Sequence, residues 1–150
     1  MQTQAEPASP PSRILALDFG LRNLGLAVSD ELGWTAQGLP TYRRSNKKRD
    51  LDYLRRLLRQ YQVGEIVMGL PLRLSGTEGT PAEKVREFAE ELRRRFKLPV
   101  HLVDERLTSV EANRVLRETE MSTRRRAEVV DRVAAVLILQ SFLERRRQKT

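Results

Sequence analysis

Arg13-Ile14-Leu15-Ala16-Leu17-Asp18-Phe19, Gly20-Leu21-Arg22-Asn23 and Leu24-Gly25-Leu26-Ala27-Val28-Ser29-Asp30 form the stretch that decides the fold. Two apolar, β-prone runs flank a short segment holding Gly and Asn, which suits a tight turn, so the stretch reads as a β-hairpin. A third strand is expected between Trp34 and Tyr42, bracketed by Gly33 and Ser45-Asn46. The period then changes. From Lys47 to Gln62, Leu51, Leu54, Leu58 and Tyr61 recur at steps of three and four, which predicts a helix with its basic residues on the other side. Glu65 to Gly69 reads as a short buried strand, stopped by Pro71. Thr80-Pro81-Ala82-Glu83 carries helix-start signals, with Thr80 as cap, Pro81 at the first helical position and Glu83 closing a capping box. Val85, Phe88, Ala89, Leu92 and Phe96 then form one stripe.

Pro99 to Val103 is a further strand, leading into Asp104-Glu105-Arg106, and Thr108-Ser109-Val110-Glu111 opens a short helix by a second capping box. The last helix is expected from about Arg126 to Arg145, apolar nearly all round between Val129 and Leu143 and therefore largely buried. This order predicts an α/β fold: a mixed central sheet of three antiparallel strands followed by parallel ones, with helices on both faces. Residues 1–12 read as a disordered tail, 13–144 as one domain and 145–150 as a basic tail. The glycine-bearing stretch from Pro71 to Thr80 lies after a strand end, where ligands often bind.

With 150 residues the chain supports one real core and not two hinged domains, and with 28 Lys or Arg against 20 Asp or Glu its net charge is +8. The longest apolar run, Val133 to Leu139, is far below the roughly 18 residues that cross a bilayer. The N-terminal stretch lacks the basic and apolar regions of a signal peptide, so a cytoplasmic protein without membrane attachment is expected. There is no Cys, and His101 is the only His. Thiolate sites, disulfides and multi-histidine metal sites are thereby excluded, and acid, base or metal chemistry must rest on carboxylates.

Several carboxylates fall in unexpected surroundings. Asp18 ends an otherwise apolar strand, and Asp131 sits among Val129, Val130, Val133 and Ala134. An ionised carboxylate in such a place is costly unless it is paired or binds a cation. Each also has a plainer reading: Asp18 as a turn cap on amides around Gly20, Asp131 as a first-turn residue favoured by the helix dipole or paired with Arg132 or Arg126, and Asp104 and Glu105 as surface partners of Arg106. Together they point further. If the last helix packs beside the first strand, Asp18, the Asp104-Glu105 corner and Asp131 converge at one end of the sheet, a hard-oxygen site for Mg²⁺ or Mn²⁺. Two such ions about 3.5–4 Å apart suit in-line phosphoryl displacement. Basic clusters at Arg43 to Arg49, Arg124 to Arg126 and Arg145 to Lys149 favour a phosphate backbone as partner, whereas Arg93 to Arg95 reads as a solvated face.

Four segments in order resemble the YqgF family, also called RuvX, of bacterial pre-16S rRNA nucleases and RuvC-like Holliday junction resolvases. They are Asp18-Phe19-Gly20 through Gly25 to Asp30, then Gly69-Leu70-Pro71 with Gly76 and Gly79, then Asp104-Glu105-Arg106-Leu107-Thr108, and last Asp131 with Ala134-Ala135 and Leu139-Gln140. The resemblance implies an RNase H-like fold. It implies Asp18, Glu105 and Asp131 as catalytic, metal-binding carboxylates, Asp104 as an additional acid, and Arg22, Gly69, Pro71, Arg106 and Thr108 as substrate-binding residues. The chain departs from the family where Lys-Arg-Ile-Gly is usual and Arg22-Asn23-Leu24-Gly25 stands, and where Ser109 replaces a second Thr.

The expected activity is Mg²⁺- or Mn²⁺-dependent phosphodiester hydrolysis in maturing the 5′ end of a small-subunit rRNA precursor. Resolution of branched DNA is the alternative, and that role calls for a homodimer with two sites. The hairpin with Asp18-Phe19-Gly20 also resembles the phosphate loop of actin- and sugar-kinase-like ATPases, which enclose nucleotide between two domains. A noncatalytic RNA or ribosome binder would use the basic clusters alone.

Overall fold

The computed structural model describes residues 12–71, 78–104 and 123–148. Strands β1 (Arg13–Phe19) and β2 (Asn23–Ser29) form the expected hairpin, with Asp18 opposite Gly25 and Phe19 opposite Leu24. The turn is closed by the Gly20 N–H donating to the Asn23 carbonyl at 3.0 Å. Strand β3 (Ala36–Arg43) continues antiparallel, while β4 (Val63–Leu70) and β5 (Val100–Asp104) add in parallel, giving the sheet order β3-β2-β1-β4-β5.

The period-2 alternation of β1 sorts its side chains between two cores. Leu15 and Leu17, with Leu24, Leu26, Ile66 and Met68, face α1 (Lys47–Gln60) and α2 (Thr80–Phe96). Ile14 and Ala16, with Ala27, Val67 and Val103, face α3 (Thr123–Gln148). Both faces of the sheet are thus covered, and each fully buried Leu or Met contributes on the order of 2 kcal/mol. No helix among the described residues is long and apolar enough to cross a membrane.

Helix α1 starts at Lys47, as its spacing predicts, and a cap the sequence reading did not name holds it, the Asn46 side chain accepting from the Arg49 N–H at 2.9 Å. Helix α2 does not use the predicted capping box. Gly79 is its cap residue and Thr80 is already helical, with the Glu83 amide donating to the Gly79 carbonyl at 3.1 Å. No side-chain cap forms there.

Two expectations for the last helix are corrected. It is longer than Arg126 to Arg145, so residues 145–148 belong to the helix and not to a tail. Interactions with the body hold the final turns: Arg146 donates to Glu65, and the Arg147 guanidinium donates to the Trp34 carbonyl at 3.3 Å. Nor is α3 buried all round. Ala134, Ala135, Ile138, Leu139 and Leu143 are buried, but Val129, Val130, Val133, Val136 and Leu137 are half-exposed. A straight helix lying on one sheet can press only part of its circumference against it.

Candidate active site

Pleat alternation places Asp18 on the α3 side of β1, in line with Ile14 and Ala16. Its cross-strand partner is Gly25, and this glycine admits α3. A Cβ at Gly25 would overlap the carbonyl oxygen of Asp131, and one at Gly38 of β3 would lie 2.7 Å from the Arg132 side chain. Gly25 therefore leaves room for the helix backbone to rest on the sheet, and Gly38 for the Arg132 side chain. The contact at Gly25 seats the Asp131 backbone on the strand partner of Asp18, bringing two acids distant in sequence to the same end and face of the sheet.

Asp131 lies beyond the first turn of α3, which begins at Thr123, so the dipole reading does not apply to it. Its hydrogen-bond partner is the side chain of Asn23, two residues before Gly25 on the same side of β2. Burial pushes the Asp131 carboxyl above its ordinary value, and the Asn23 hydrogen bond pulls it part of the way back. Sequence reading passed over Asn23 as a lost Arg. Its two-residue spacing from Gly25 was the available signal, since it fixes both on one face.

The turn carrying these residues is braced from below. The Arg44 guanidinium donates to the carbonyl of Gly20 at 3.0 Å, and the Arg44 amide donates to the carbonyl of Arg22 at 2.7 Å. It also lies 4.5 Å from the centre of the Phe19 ring. Asp50, completely buried, holds Arg44 by accepting from its Nε at 3.2 Å. The hairpin position of Asp18 is thereby fixed through Arg44.

The remaining predicted residues divide. Gly69 is buried at the end of β4, one residue past Met68, which pairs with Leu17, and half-buried Pro71 follows the strand. Arg22 is exposed in the turn. Asp104 reaches the same end of the sheet but not the same face. It pairs with Leu70, while Val103 before it packs under α3, so alternation turns Asp104 to the α1 and α2 side. Glu105, Arg106 and Thr108, and the helix expected after them, lie outside the described residues.

Among the described residues no group of three or more His, Cys, Asp or Glu side chains is arranged to hold a metal ion. What they present is the Asp18 and Asp131 pair of half-buried carboxylates with the Asn23 amide. His101 belongs to a different locality, with Glu65 at 3.3 Å and the Phe142 ring at 5.0 Å. An all-oxygen set in which burial penalises a negative charge fits a hard divalent cation.

A mixed five-stranded sheet between helices, with carboxylates at the C-terminal end of its central strand, is an RNase H-like fold. Within that class the chain belongs to the RuvX family, whose model, described as Holliday junction resolvase, matches residues 12–145. Its substrate is accordingly a nucleic acid. A Koribacter versatilis protein named "Putative pre-16S rRNA nuclease" is 63% identical over 141 residues, covering 94% of this chain and 92% of the relative. A protein of the same name from Moorella thermoacetica is 53% identical over 133 residues, covering 89% and 95%. Thermus thermophilus RuvC in complex with a Holliday junction substrate superposes with a TM-score of 0.53 at 12% identity, covering 91% of this chain and 96% of that one. The Fowlpox virus resolvase in complex with Holliday junction DNA gives 0.54 at 14% identity, covering 89% and 97%. At such identities these two likenesses concern the fold.

Proposed function

We propose that the chain hydrolyses phosphodiester bonds with Asp18, Glu105 and Asp131 as the carboxylates that hold divalent cations, Mg²⁺ or Mn²⁺, and that its substrate is the 5′ end of a small-subunit rRNA precursor. The observation that carries this reading is the seat of Asp131 on Gly25, directly across the hairpin from Asp18. The substrate follows from the name and 63% identity of the Koribacter relative. When bound, such ions polarise the phosphate and lower the pKa of water.

The chain's own groups supply the placement. Asp18 and Asp131 confer negative charge on the end of the sheet, and Asn23 orients the Asp131 carboxylate by donating to it. Glu105 follows directly on Asp104, the last residue of β5. Arg22 in the exposed turn and the backbone at Gly69 and Pro71 flank the phosphate, together with Arg106 and Thr108. In the reaction a water oxygen bonds to phosphorus, the bond to the leaving sugar oxygen breaks, and a proton passes to that oxygen. Asp104, turned to the other face, acts through its effect on the neighbouring Glu105.

The family model's description favours a second reading, cleavage of a four-way DNA junction. That reading requires a homodimer presenting two sites. The purified chain, offered labelled precursor rRNA and a labelled four-way junction side by side in Mn²⁺ or Mg²⁺, is expected to cut the RNA and to stop with EDTA. Preferential, symmetric cutting of the junction by a dimer would replace the RNA assignment by the second reading. Full cleavage by Asp18→Asn or Glu105→Gln would refute both.

A further inference from the structure

Several cationic side chains of this basic protein are ion-paired within the fold. Lys47, Arg94 and Arg95 surround Glu91, Arg44 holds Asp50, and Arg86 pairs with Glu78. One place differs. Along β5, an edge strand of the sheet, runs an open groove of about 650 Å³. Arg93 of α2 borders it on one side, Phe142, Arg145 and Arg146 of α3 on the other, and His101 and Val103 of β5 line its floor. No Asp or Glu among the described residues lines it. Arg146 shares Glu65 with His101, and Arg93 pairs with Glu90 and donates to the Val100 carbonyl. Exposed Arg145 forms no ion pair among the described residues, so the groove carries a cationic surplus.

Its direction matters as much as its charge. His101 and Val103 project to the α3 side of the sheet, the side of Asp18 and Asp131. The groove's β5 floor ends at Val103, one residue before Asp104 and two before Glu105. At about 3.3 Å per residue, β5 leads roughly 13 Å away from that end. Phe142 supplies an apolar surface, with the Arg146 guanidinium 4.6 Å from its ring centre.

We infer that the groove between β5 and the last turns of α3, with Arg145 as its uncompensated cation and Arg93 opposite, is a distal subsite for the nucleic-acid backbone, holding phosphates more than one nucleotide from the bond that is cut. This assignment rests on the nuclease reading and extends it. A polyanion fits the one-signed lining, and the open groove suits a flexible single strand. Arg93 therefore has a role beyond the solvated face that its sequence suggests.

The test measures binding of a short fluorescein-labelled single-stranded RNA by anisotropy in EDTA, so that nothing is cut, across about 50–200 mM salt. Arg145→Ala is expected to weaken binding several-fold and to reduce the slope of log K against log salt by about 0.7, the contribution of one single-strand phosphate contact. Arg145→Glu should weaken binding further, whereas Arg59→Ala, an equal loss of charge on α1, should leave slope and affinity at parental values. Cleavage of bis(p-nitrophenyl) phosphate in Mn²⁺, a diester with no backbone to reach the groove, should be the same for Arg145→Ala as for the parent. Parental slope and affinity in both Arg145 variants would overturn the subsite, as would displacement of the RNA by polyglutamate of equal charge at equal concentration. The two readings fail separately. Loss of slope in a protein that cleaves no substrate removes the nuclease and leaves the groove, while normal cleavage with an unchanged slope removes the groove alone.

Discussion

Acids are buried on both faces of the sheet, and their surroundings are opposite. Under α1 and α2, fully buried Asp50 accepts from the Tyr42 hydroxyl at 3.0 Å, the Ser45 amide at 2.9 Å and Arg44 Nε at 3.2 Å. Glu91, 5% exposed, meets Lys47 at 2.7 Å and Arg95 at 3.0 Å, with Arg94 beside them. Under α3, Asp131 is less deeply buried, yet its hydrogen-bond partner is the neutral Asn23 and its pKa is pushed up. Depth of burial does not separate the carboxylate proposed to bind a cation from the structural ones. The difference is that the fold pairs Asp50 and Glu91 with cations and gives Asp131 a neutral hydrogen-bond partner.

The largest effect that tests this contrast is on activity. Asp18→Asn should reduce cleavage by on the order of 10³-fold or more while its thermal unfolding stays near that of the parent. Asp131→Asn should behave likewise, and in EDTA it should melt no lower than the parent, because removing a charge that burial disfavours relieves the folded state. Mn²⁺ should raise the melting temperature of the parent and not of either variant.

Next comes Asp50→Asn, which leaves Arg44 with no carboxylate. A cost of about 3 kcal/mol is expected, roughly a 6–12 °C fall in melting temperature for a chain of this size. An Asp50→Asn protein as stable as the parent would erase the contrast between the two faces.

Gly25→Ala tests the seat itself. The added methyl overlaps the Asp131 backbone, so α3 must shift, at an expected cost of about 1–3 kcal/mol measured by urea titration. Cleavage should fall further than stability does, since the shift separates Asp131 from Asp18.

The smallest effect lies at the far end of α3. The Arg146 hydrogen bond holds the Glu65 carboxyl below its ordinary value, against the opposing effect of burial and with help from His101. A depressed carboxyl stabilises the fold above its unfolded pKa, near 4.3, and this contribution disappears as pH falls through the lower folded value. The stability difference between parent and Glu65→Gln should therefore be constant near neutrality, no more than about 1 kcal/mol for so exposed a pair, and vanish in acid. A difference that grows on acidification would contradict the pairing.

Much of the fold was legible because alternation and helical spacing are local properties. Leu15 and Leu17 against Ala16 and Asp18 already separate two faces, and Asn23 to Ser29 repeat the pattern after a turn. The same locality explains the misses. The capping signals at Thr80 and Glu83 go unused, because the helix starts one residue earlier, with Gly79 as its cap residue and no side-chain cap bond. The apolar circumference of α3 says nothing of which side meets the sheet, and a run of arginines at 145–147 reads as a tail until Glu65 and Trp34 are seen to hold it. Asp50 and Glu91 stood among basic residues in sequence and drew no notice, although they are the most deeply buried acids described.

Sequence alone determined the order of the described elements, the hairpin around Gly20 and the need for chemistry based on carboxylates in a chain with no Cys and one His. These follow from residue type and near-neighbour spacing, which the chain carries before it folds. Only the tertiary structure decided that the Asp131 backbone seats on Gly25, the strand partner of Asp18, that Asp104 turns away, and that Asn23 and Arg44 serve the same hairpin from opposite sides. Those facts depend on how closely a helix approaches a strand, and a missing Cβ at Gly25 sets that distance.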